Sequence, residues 1–341
     1  MASTIKDIRE ETGLSLATIS KYLNGGHVLA ENRTKIEAAV KKLDYHPNAL
    51  ARGLVKNRTM TIGFVCHNVS SLFECTLIHY AGEILRRKGY GLMICDSSGD
   101  AEQERRNIRF LVEKQVDGIL IVAISQYSDF LKPAISAGIP FVLLDRLVYG
   151  GQFDCVTIDN REAAETAARY LIEKGHRRIA CICSNQEYTG EKRLEGFHAA
   201  MRAAGIPARE EYCKTTDKFS VDAGYQKMKE LMALPEPPTA VFLGNYEVDL
   251  GSVIALNELH LKYPEDVSLI GMDDLFLSGL TRPELTLLLQ PMNEMVEVAV
   301  DMLLRRAEGD RLYAPQKTEL FVTLKEGESV RDLREEAQQR S

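Results

Sequence analysis

From Thr61 onward, short apolar runs alternate with longer stretches whose apolar residues recur at helical spacing, and few folds accept that pattern. The runs are Thr61–Cys66, Leu92–Asp96, Gly118–Ile124, Pro140–Asp145, Cys155–Ile158, Ile179–Ser184, Ala240–Gly244, Ser268–Met272 and Leu285–Gln290. Between them, Thr76–Lys88, Ala101–Gln115, Arg161–Lys174, Glu191–Ala204, Val221–Leu234 and Val248–Leu261 carry helical patterns. Strands that alternate with helices of ten or more residues predict parallel sheets covered on both faces, joined by right-handed crossovers. At 341 residues the chain exceeds one small domain, and a prior of one domain per roughly 150 residues suggests two or three.

The first sixty residues follow another rule. Ile5 and Ile8 share a helix face, and Gly13 supplies a residue that can turn the chain. Ser15 then caps a second helix, because its hydroxyl can accept from an otherwise unpaired backbone N–H. In that helix Ile19 and Leu23 face inward, while Ala17 and Lys21 lie roughly 200° away at about 100° per residue. The pair reads as a helix-turn-helix, whose second helix lies in the major groove of DNA with its N-terminal residues against base edges. After Asn24-Gly25-Gly26, a third helix is predicted from about Asn32 to Leu43, with Ile36, Val40 and Leu43 turned inward, and Pro47 ends it by disfavouring helical geometry at His46. Asn48 to Leu54 is helix-prone without a core of its own, and so short a helix is marginal in water unless something holds it.

Charge supports a local DNA contact. The net charge is −7, yet residues 1–60 hold ten basic and six acidic groups, a balance of +4 that leaves −11 for the rest. Phosphate neutralisation requires positive charge only at the contact face. No apolar run reaches the roughly 18 residues of a membrane span, and Met1–Thr12 has no signal-peptide pattern, so a cytoplasmic location is expected. The seven cysteines are scattered, with no metal-ligand spacing, and are expected to be buried free thiols. No G-x-S-x-G elbow, P-loop or H-E-x-x-H is present, and Asp273-Asp274 are adjacent rather than opposed, which suits a turn better than acid–base work. Neither a catalytic set, a metal nor a cofactor is expected.

The head resembles the lactose/galactose repressor (LacI/GalR) family of bacterial regulators. The matching residues are Thr4-Ile5-Lys6-Asp7-Ile8, Gly13-Leu14-Ser15, Ala17-Thr18-Ile19-Ser20, Leu23-Asn24-Gly25 and Tyr45-His46-Pro47-Asn48-Ala49-Leu50-Ala51. The resemblance implies DNA contacts by Ser15, Leu16, Ala17, Thr18, Ser20, Lys21 and Asn24 of the head, with base reading by Leu16, Ala17 and Lys21. It also implies contacts by Asn48, Ala49, Ala51, Arg52 and Leu54 of a hinge helix that pairs with its dimer mate in the minor groove. Leu54 stands at the leucine that wedges into the central base step, and such a wedge kinks the duplex while gaining contact surface. Leu16 could instead cap the small core. Lys21 stands where arginine is usual, which exchanges a bidentate guanine contact for a point contact, and Gly53 stands where serine is common.

Resemblance continues through the body at Gly118-Ile119, Leu143-Leu144-Asp145-Arg146, Asp159-Asn160, Gly175-His176-Arg177-Arg178-Ile179, Arg193-Leu194-Glu195-Gly196-Phe197, Pro264-Glu265-Asp266-Val267-Ser268, Gly271-Met272-Asp273-Asp274 and Gln290-Pro291. It implies a small all-α helix-turn-helix head on an α/β body of two Rossmann-like lobes, periplasmic-binding-protein-like, with an effector between the lobes. The expected divisions are 1–47, a hinge and linker at 48–60, a body at 61–325 and a polar tail at 326–341. Within the body, 61–160 with 291–317 would form one lobe and 161–290 with 318–325 the other.

Open α/β sheets place ligands at the C-terminal ends of their strands. Arg193, Asn245, Asp273 and Gln290 fall at or after such ends, and with Phe73, Glu74, Asp145 and Phe219 they match the family's effector-contacting positions. Glu74 stands where a purine-binding relative stacks a phenylalanine on the base, and a carboxylate there favours a hydroxyl-rich or amine-bearing ligand. Tyr246 replaces the aspartate of the family's Ala-Asn-Asp stretch. The expectation is a homodimeric repressor of a pseudo-palindromic operator, released by a small sugar-like effector. A corepressor or phosphocarrier-controlled regulator, and an extracytoplasmic sugar-binding protein, are the alternatives; the absent signal pattern counts against the latter. Val330, Leu333 and Ala337 have helical spacing but span fewer heptads than a tetramerising coiled coil needs, which favours a dimer.

Overall fold

The structure is a computed structural model that describes residues 3–23, 26–45, 58–273, 279, 281–310 and 314–334. Asn24, the stretch Asn48–Leu54 and Ala337 lie outside the described residues. The chain divides into two compact units, Met1–Met60 and Thr61–Ser341.

The first unit holds α1 (Ile5–Thr12), α2 (Leu16–Leu23) and α3 (Ala30–Lys42). Asp7 Oδ2 accepts from Thr4 N at 2.6 Å and from Thr4 Oγ1 at 2.9 Å, closing the entry to α1. Gly13 ends that helix at φ 68°, and its N–H donates to Arg9 O. Ser15 Oγ accepts from Thr18 N at 3.1 Å, so it caps α2 as its position predicted. Ile8, Ile19, Ile36 and Ala39 are buried, with Ile5, Leu23, Val40 and Leu43 packed around them. Helix α3 begins at Ala30, two residues before the sequence suggested, with its first turn outside the apolar stripe.

The second unit is two parallel α/β lobes. Lobe one carries β1 (Thr61–Cys66), β2 (Gly91–Asp96), β3 (Gly118–Ile121), β4 (Phe141–Leu144), β5 (Cys155–Ile158) and β11 (Lys317–Leu320). Their order is β11-β5-β4-β3-β1-β2. Lobe two carries β6 (Ile179–Ser184), β7 (Cys213–Thr216), β8 (Ala240–Leu243), β9 (Ser268–Met272), β10 (Thr286–Leu289) and β12 (Thr323–Lys325), in the order β12-β10-β9-β8-β6-β7. In both sheets every pairing is parallel except that of β12 with β10, which is antiparallel. Helices α4 (Leu72–Arg87), α5 (Ala101–Glu113) and α6 (Lys132–Ala137) belong to lobe one; α7 (Asn160–Glu173), α8 (Tyr188–Ala203), α9 (Val221–Met232) and α10 (Tyr246–Glu258) belong to lobe two. Helix α11 (Met292–Ala307) returns to lobe one and packs on α4 and on β3, β4 and β5. Central strands are buried throughout, as sheets covered on both faces require, and the core runs through Phe64, Leu77, Phe197 and Phe242.

Two expected boundaries are corrected. The switch back to lobe two falls between Leu320 and Thr323, not at 317–318, because Lys317–Leu320 pairs in parallel with β5. The segment after 325 is no free tail as far as Arg334: Ser329 is buried, donating from Oγ to Leu269 O at 2.6 Å and accepting from Thr286 N at 2.8 Å. His176, also buried, holds Arg331 O through Nε2 and Thr239 Oγ1 through Nδ1, and Val330 packs on the core. The run Gly118–Ile124 yields four strand residues; Val122 N still donates to Val65 O of β1 at 2.9 Å, and buried Glu104 then accepts from Ile124 N at 2.7 Å and Ser125 N at 3.1 Å. All seven cysteines are free; five are buried, Cys213 is half-buried, and Cys75, against expectation, is exposed on α4.

Candidate functional site

In the first unit, α2 turns Ile19 into the core and leaves Ser15, Ala17 and Lys21 exposed. Leu16, Thr18 and Ser20 are half-buried, and Leu16 stands apart from the apolar cluster around Ile19, which favours an outward role over core capping. Gly26 closes the helix, donating to Lys21 O at 2.8 Å. The outward face therefore carries small, polar and basic groups, suited to a groove lined by base edges and phosphates.

In the second unit, a cavity of about 310 Å³ lies between the lobes, and all eight residues singled out from the sequence line it: Phe73, Glu74, Asp145, Arg193, Phe219, Asn245, Asp273 and Gln290. Several helix N-termini reach it, among them that of α9, whose capping Ser220 lines the wall. Helix α4 brings Phe73 and Glu74, α8 follows Glu187 and brings Thr189 and Arg193, and α10 is capped by Asn245, whose Oδ1 accepts from Val248 N at 3.0 Å. The ends of β4 and β9 bring Asp145 and Asp273, which adopt left-handed backbones with φ of 65° and 69°. Such conformations are costly for non-glycine residues and collect at functional sites.

Arg193 is 3% exposed and fixed from both sides: Nε donates to Asn160 Oδ1 at 2.8 Å and Nη1 to Gly244 O at 2.6 Å. Asp273, 2% exposed, accepts from Gln290 Nε2 at 2.9 and 3.2 Å. Burial pushes its carboxyl up to about 6 against the pull of Arg193 and the Gln290 bond. Gln290 Oε1, also buried, has no hydrogen-bond partner. Behind Asp273, buried Asp249 accepts from Met272 N at 3.2 Å, and its side chain occupies the space a Cβ on Gly271 would need. Asp145 is raised by burial, opposed by Arg146 and Arg193. Glu74, 3% exposed, is pushed by burial up to about 8; Asn68 N donates to it at 3.1 Å. Its neighbour His67 is driven down to about 4 by burial and by Arg146, and so is neutral near pH 7.

Sequence reasoning missed the contacts that span the cavity. Arg146 Nη2 of lobe one donates to Glu187 Oε2 of lobe two at 2.8 Å, and Glu187 Oε1 accepts from Phe219 N at 3.1 Å. Leu72 N donates to Tyr246 Oη at 3.0 Å, and that phenol donates to Ser71 Oγ at 3.3 Å. Arg146 sat inside a recognised run and Tyr246 was a visible departure, but pairings more than forty or 170 residues apart leave no local signal. Asn160, which orients Arg193, was seen only as part of the Asp159-Asn160 match. Among the described residues, no group of three or more His, Cys, Asp or Glu could hold a metal, and no helix is long and apolar enough to cross a membrane.

A helix-turn-helix head, joined in one chain to a two-lobed α/β body around a polar cavity, defines a DNA-binding transcriptional regulator with a small-molecule site. Comparison with known proteins agrees. Residues 4–48 match the family described as bacterial regulatory proteins, lacI family, and residues 168–330 match the periplasmic binding protein-like domain. The chain is 35% identical over 335 residues to the HTH-type transcriptional repressor PurR of Yersinia pestis (strain Pestoides F), covering 97% of each. It is 34% identical over 311 residues to the ribose operon repressor of Escherichia coli (strain K12), covering 89% of this chain and 93% of that one. A solved complex of the transcriptional regulator CelR with cellobiose superposes with a TM-score of 0.72 at 28% identity, covering 96% of this chain and 99% of the other. The chain belongs to the lacI family, and it is a DNA-binding transcriptional repressor.

Proposed function

We propose that this protein acts as a homodimer on a pseudo-palindromic operator, and that a small carbohydrate-like effector held between the lobes sets its operator affinity. The observation that carries this reading is the cavity itself. Arg193 and Asn245 offer donors, Asp145, Asp273 and Gln290 Oε1 offer acceptors, and Phe73 and Phe219 offer ring faces, all around one cleft. Ligand sites of this kind combine apolar surface with a few convergent polar groups, and a sugar supplies hydroxyls that serve as both donor and acceptor. Relatives named for ribose and crystallised with cellobiose support the ligand class.

The contacts of Arg146 with Glu187 and Tyr246 with Leu72 link lobe closure to the ligand, since both run along the cavity wall. Closure then controls whether two Asn48–Leu54 segments meet and present Leu54 to the minor groove, with Leu16, Ala17 and Lys21 reading bases from α2. The carboxyls of the cavity serve to accept hydrogen bonds rather than to perform acid–base chemistry, and the protein works on chromosomal DNA in the cytoplasm. Effector and operator must then alter each other's affinity by the same factor.

A thermal-shift screen of sugars and sugar derivatives tests the ligand class: a ligand at a hundredfold excess over its Kd adds about 2.7 kcal/mol of stability. Leu54→Ala tests the hinge. Operator affinity should fall while effector affinity holds, and an unchanged operator affinity refutes the wedge.

A further inference from the structure

We infer that the effector carries a protonated amine and presents it to Glu74, so that the ligand is an amine-bearing polyol of the amino-sugar kind. The inference rests on the carbohydrate reading of the cavity and narrows it.

Charge accounting around the wall singles Glu74 out. Glu187 is paired with Arg146 at 2.8 Å, and Arg146 also stands 3.7 Å from Asp145. Asp273 is held by Gln290 and lies in the field of Arg193, whose Nε and Nη1 donate to Asn160 and Gly244. Glu247 is half-buried, with Asn245 Nδ2 at 3.5 Å. Glu74 is buried more deeply than Glu187 or Glu247, yet the nearest basic side chain is His67, with Nδ1 at 3.7 Å. That ring is neutral near pH 7, because burial, Arg146 and Lys218 all oppose its charge. Arg146 reaches Glu74 only as a field, its guanidinium being taken by Glu187, and Asp145 adds repulsion.

The consequence is a cavity short of positive charge. Among the described residues, five carboxyl groups line it (Glu74, Asp145, Glu187, Glu247, Asp273) against three cations (Arg146, Arg193, Lys218), so that two of the carboxyls have no cation to match them. A buried charge is tolerated when it is paired and hydrogen-bonded. With no cation beside it Glu74 keeps its proton near pH 7, and an anionic or a neutral ligand would leave it in that state. An ammonium beside Glu74 supplies the missing counter-charge, so the carboxyl gives up its proton to solvent as the ion pair forms. Independently, Gln290 Oε1 is an acceptor with no partner on the opposite lobe, so the same ligand needs donors at both ends.

The test is calorimetry on the full chain at pH 7 with matched sugar sets: D-glucosamine, D-glucose and N-acetyl-D-glucosamine, with the galactose and mannose counterparts. The amine member of at least one set should bind at least tenfold more tightly than its hydroxyl and N-acetyl partners. Glu74→Gln should remove that preference, weakening the amine at least tenfold more than the hydroxyl member. A hydroxyl or N-acetyl member that binds as well as the amine in every set overturns the inference while the carbohydrate reading stands. Retention of the tenfold preference in Glu74→Gln overturns it too. Silence from these sets while another sugar of the thermal-shift screen binds overturns the inference alone, and silence from the whole screen overturns the carbohydrate reading with it. Should Gln at position 74 prevent folding, the wild-type comparison still decides.

Discussion

The two lobes are copies in topology and opposites in wiring. Each sheet runs through six strands in equivalent order, and each places an aspartate in a left-handed conformation after the equivalent strand: Asp145 after β4, Asp273 after β9. In lobe two that aspartate is bonded by Gln290, backed by Asp249 and faced by Arg193, whose guanidinium is pinned to Asn160 and Gly244. In lobe one, Asp145 has Arg146 at 3.7 Å, and Arg146 gives its short contact to Glu187 across the cavity. The same lobe buries Glu74 beside a neutral histidine. Topology therefore decides where polar groups stand, and their side-chain partners decide which are already satisfied. Lobe two pairs Asp273 internally and leaves Gln290 Oε1 open; lobe one leaves Glu74 without a cation.

The largest effect that could break this contrast is on Arg193. Arg193→Ala strips the counter-charge from Asp273 and leaves Asn160 Oδ1 and Gly244 O without their donor. Removing one member of a buried charged network costs about 3–5 kcal/mol, readable by urea unfolding, and the effector response should vanish. A loss below about 1 kcal/mol would mean lobe two is no better organised than lobe one.

Next is the segment that only lobe two possesses beyond its last strand. Ser329→Ala removes a donor to Leu269 O and an acceptor for Thr286 N, at an expected cost of about 1–3 kcal/mol. Wild-type stability would mean that this segment is an appendage after all.

The pH dependence of stability separates the lobes further. Glu74 holds its proton in the fold up to about pH 8, whereas the ordinary value is 4.5, so the unfolded chain releases its proton first and stability falls as pH rises between those values. Asp273 contributes a fall of the same sign that ends near pH 6. Buried His176, lowered to about 4, acts the other way: its contribution is complete above about 6.5 and is lost as pH falls toward 4. Glu74→Gln should therefore match wild type near pH 4 and exceed it increasingly toward pH 8, by about 2–4 °C in Tm for each kcal/mol gained. A difference that does not grow with pH places the charge deficit elsewhere. The smallest change is Tyr246→Phe, which removes a hydrogen bond between lobes worth about 0.5–1.5 kcal/mol, and should alter effector affinity by less than tenfold in calorimetry.

What could be read from the chain follows burial. Four of the nine anticipated runs, Thr61–Cys66, Cys155–Ile158, Ile179–Ser184 and Ser268–Met272, match their strands end to end, and all but one residue of them is buried. The strands that escaped notice, β7, β11 and β12, are edges: Cys-Lys-Thr-Thr, Lys-Thr-Glu-Leu and Thr-Leu-Lys, each three or four residues long and only partly covered. Edge strands have one neighbour and little apolar demand, so pattern reading passes over them. Position of the cavity residues was legible through strand ends and family resemblance, and the eight do meet. Their ionisation was not, because it depends on what lies opposite: Glu74 reads as an ordinary acid until His67 and Asp145 are seen beside it.

The most direct test joins the two units of the chain. A twofold-symmetric DNA site is first enriched from a random pool with the full-length protein. Its affinity is then measured by fluorescence anisotropy with and without the sugar that gives the largest thermal shift, for wild type and for Asp273→Ala. Occupancy of the cavity should change the wild-type DNA affinity at least tenfold and leave that of Asp273→Ala unmoved. An equal response in both proteins, or none in wild type at saturating sugar, would contradict control of DNA binding from between the lobes.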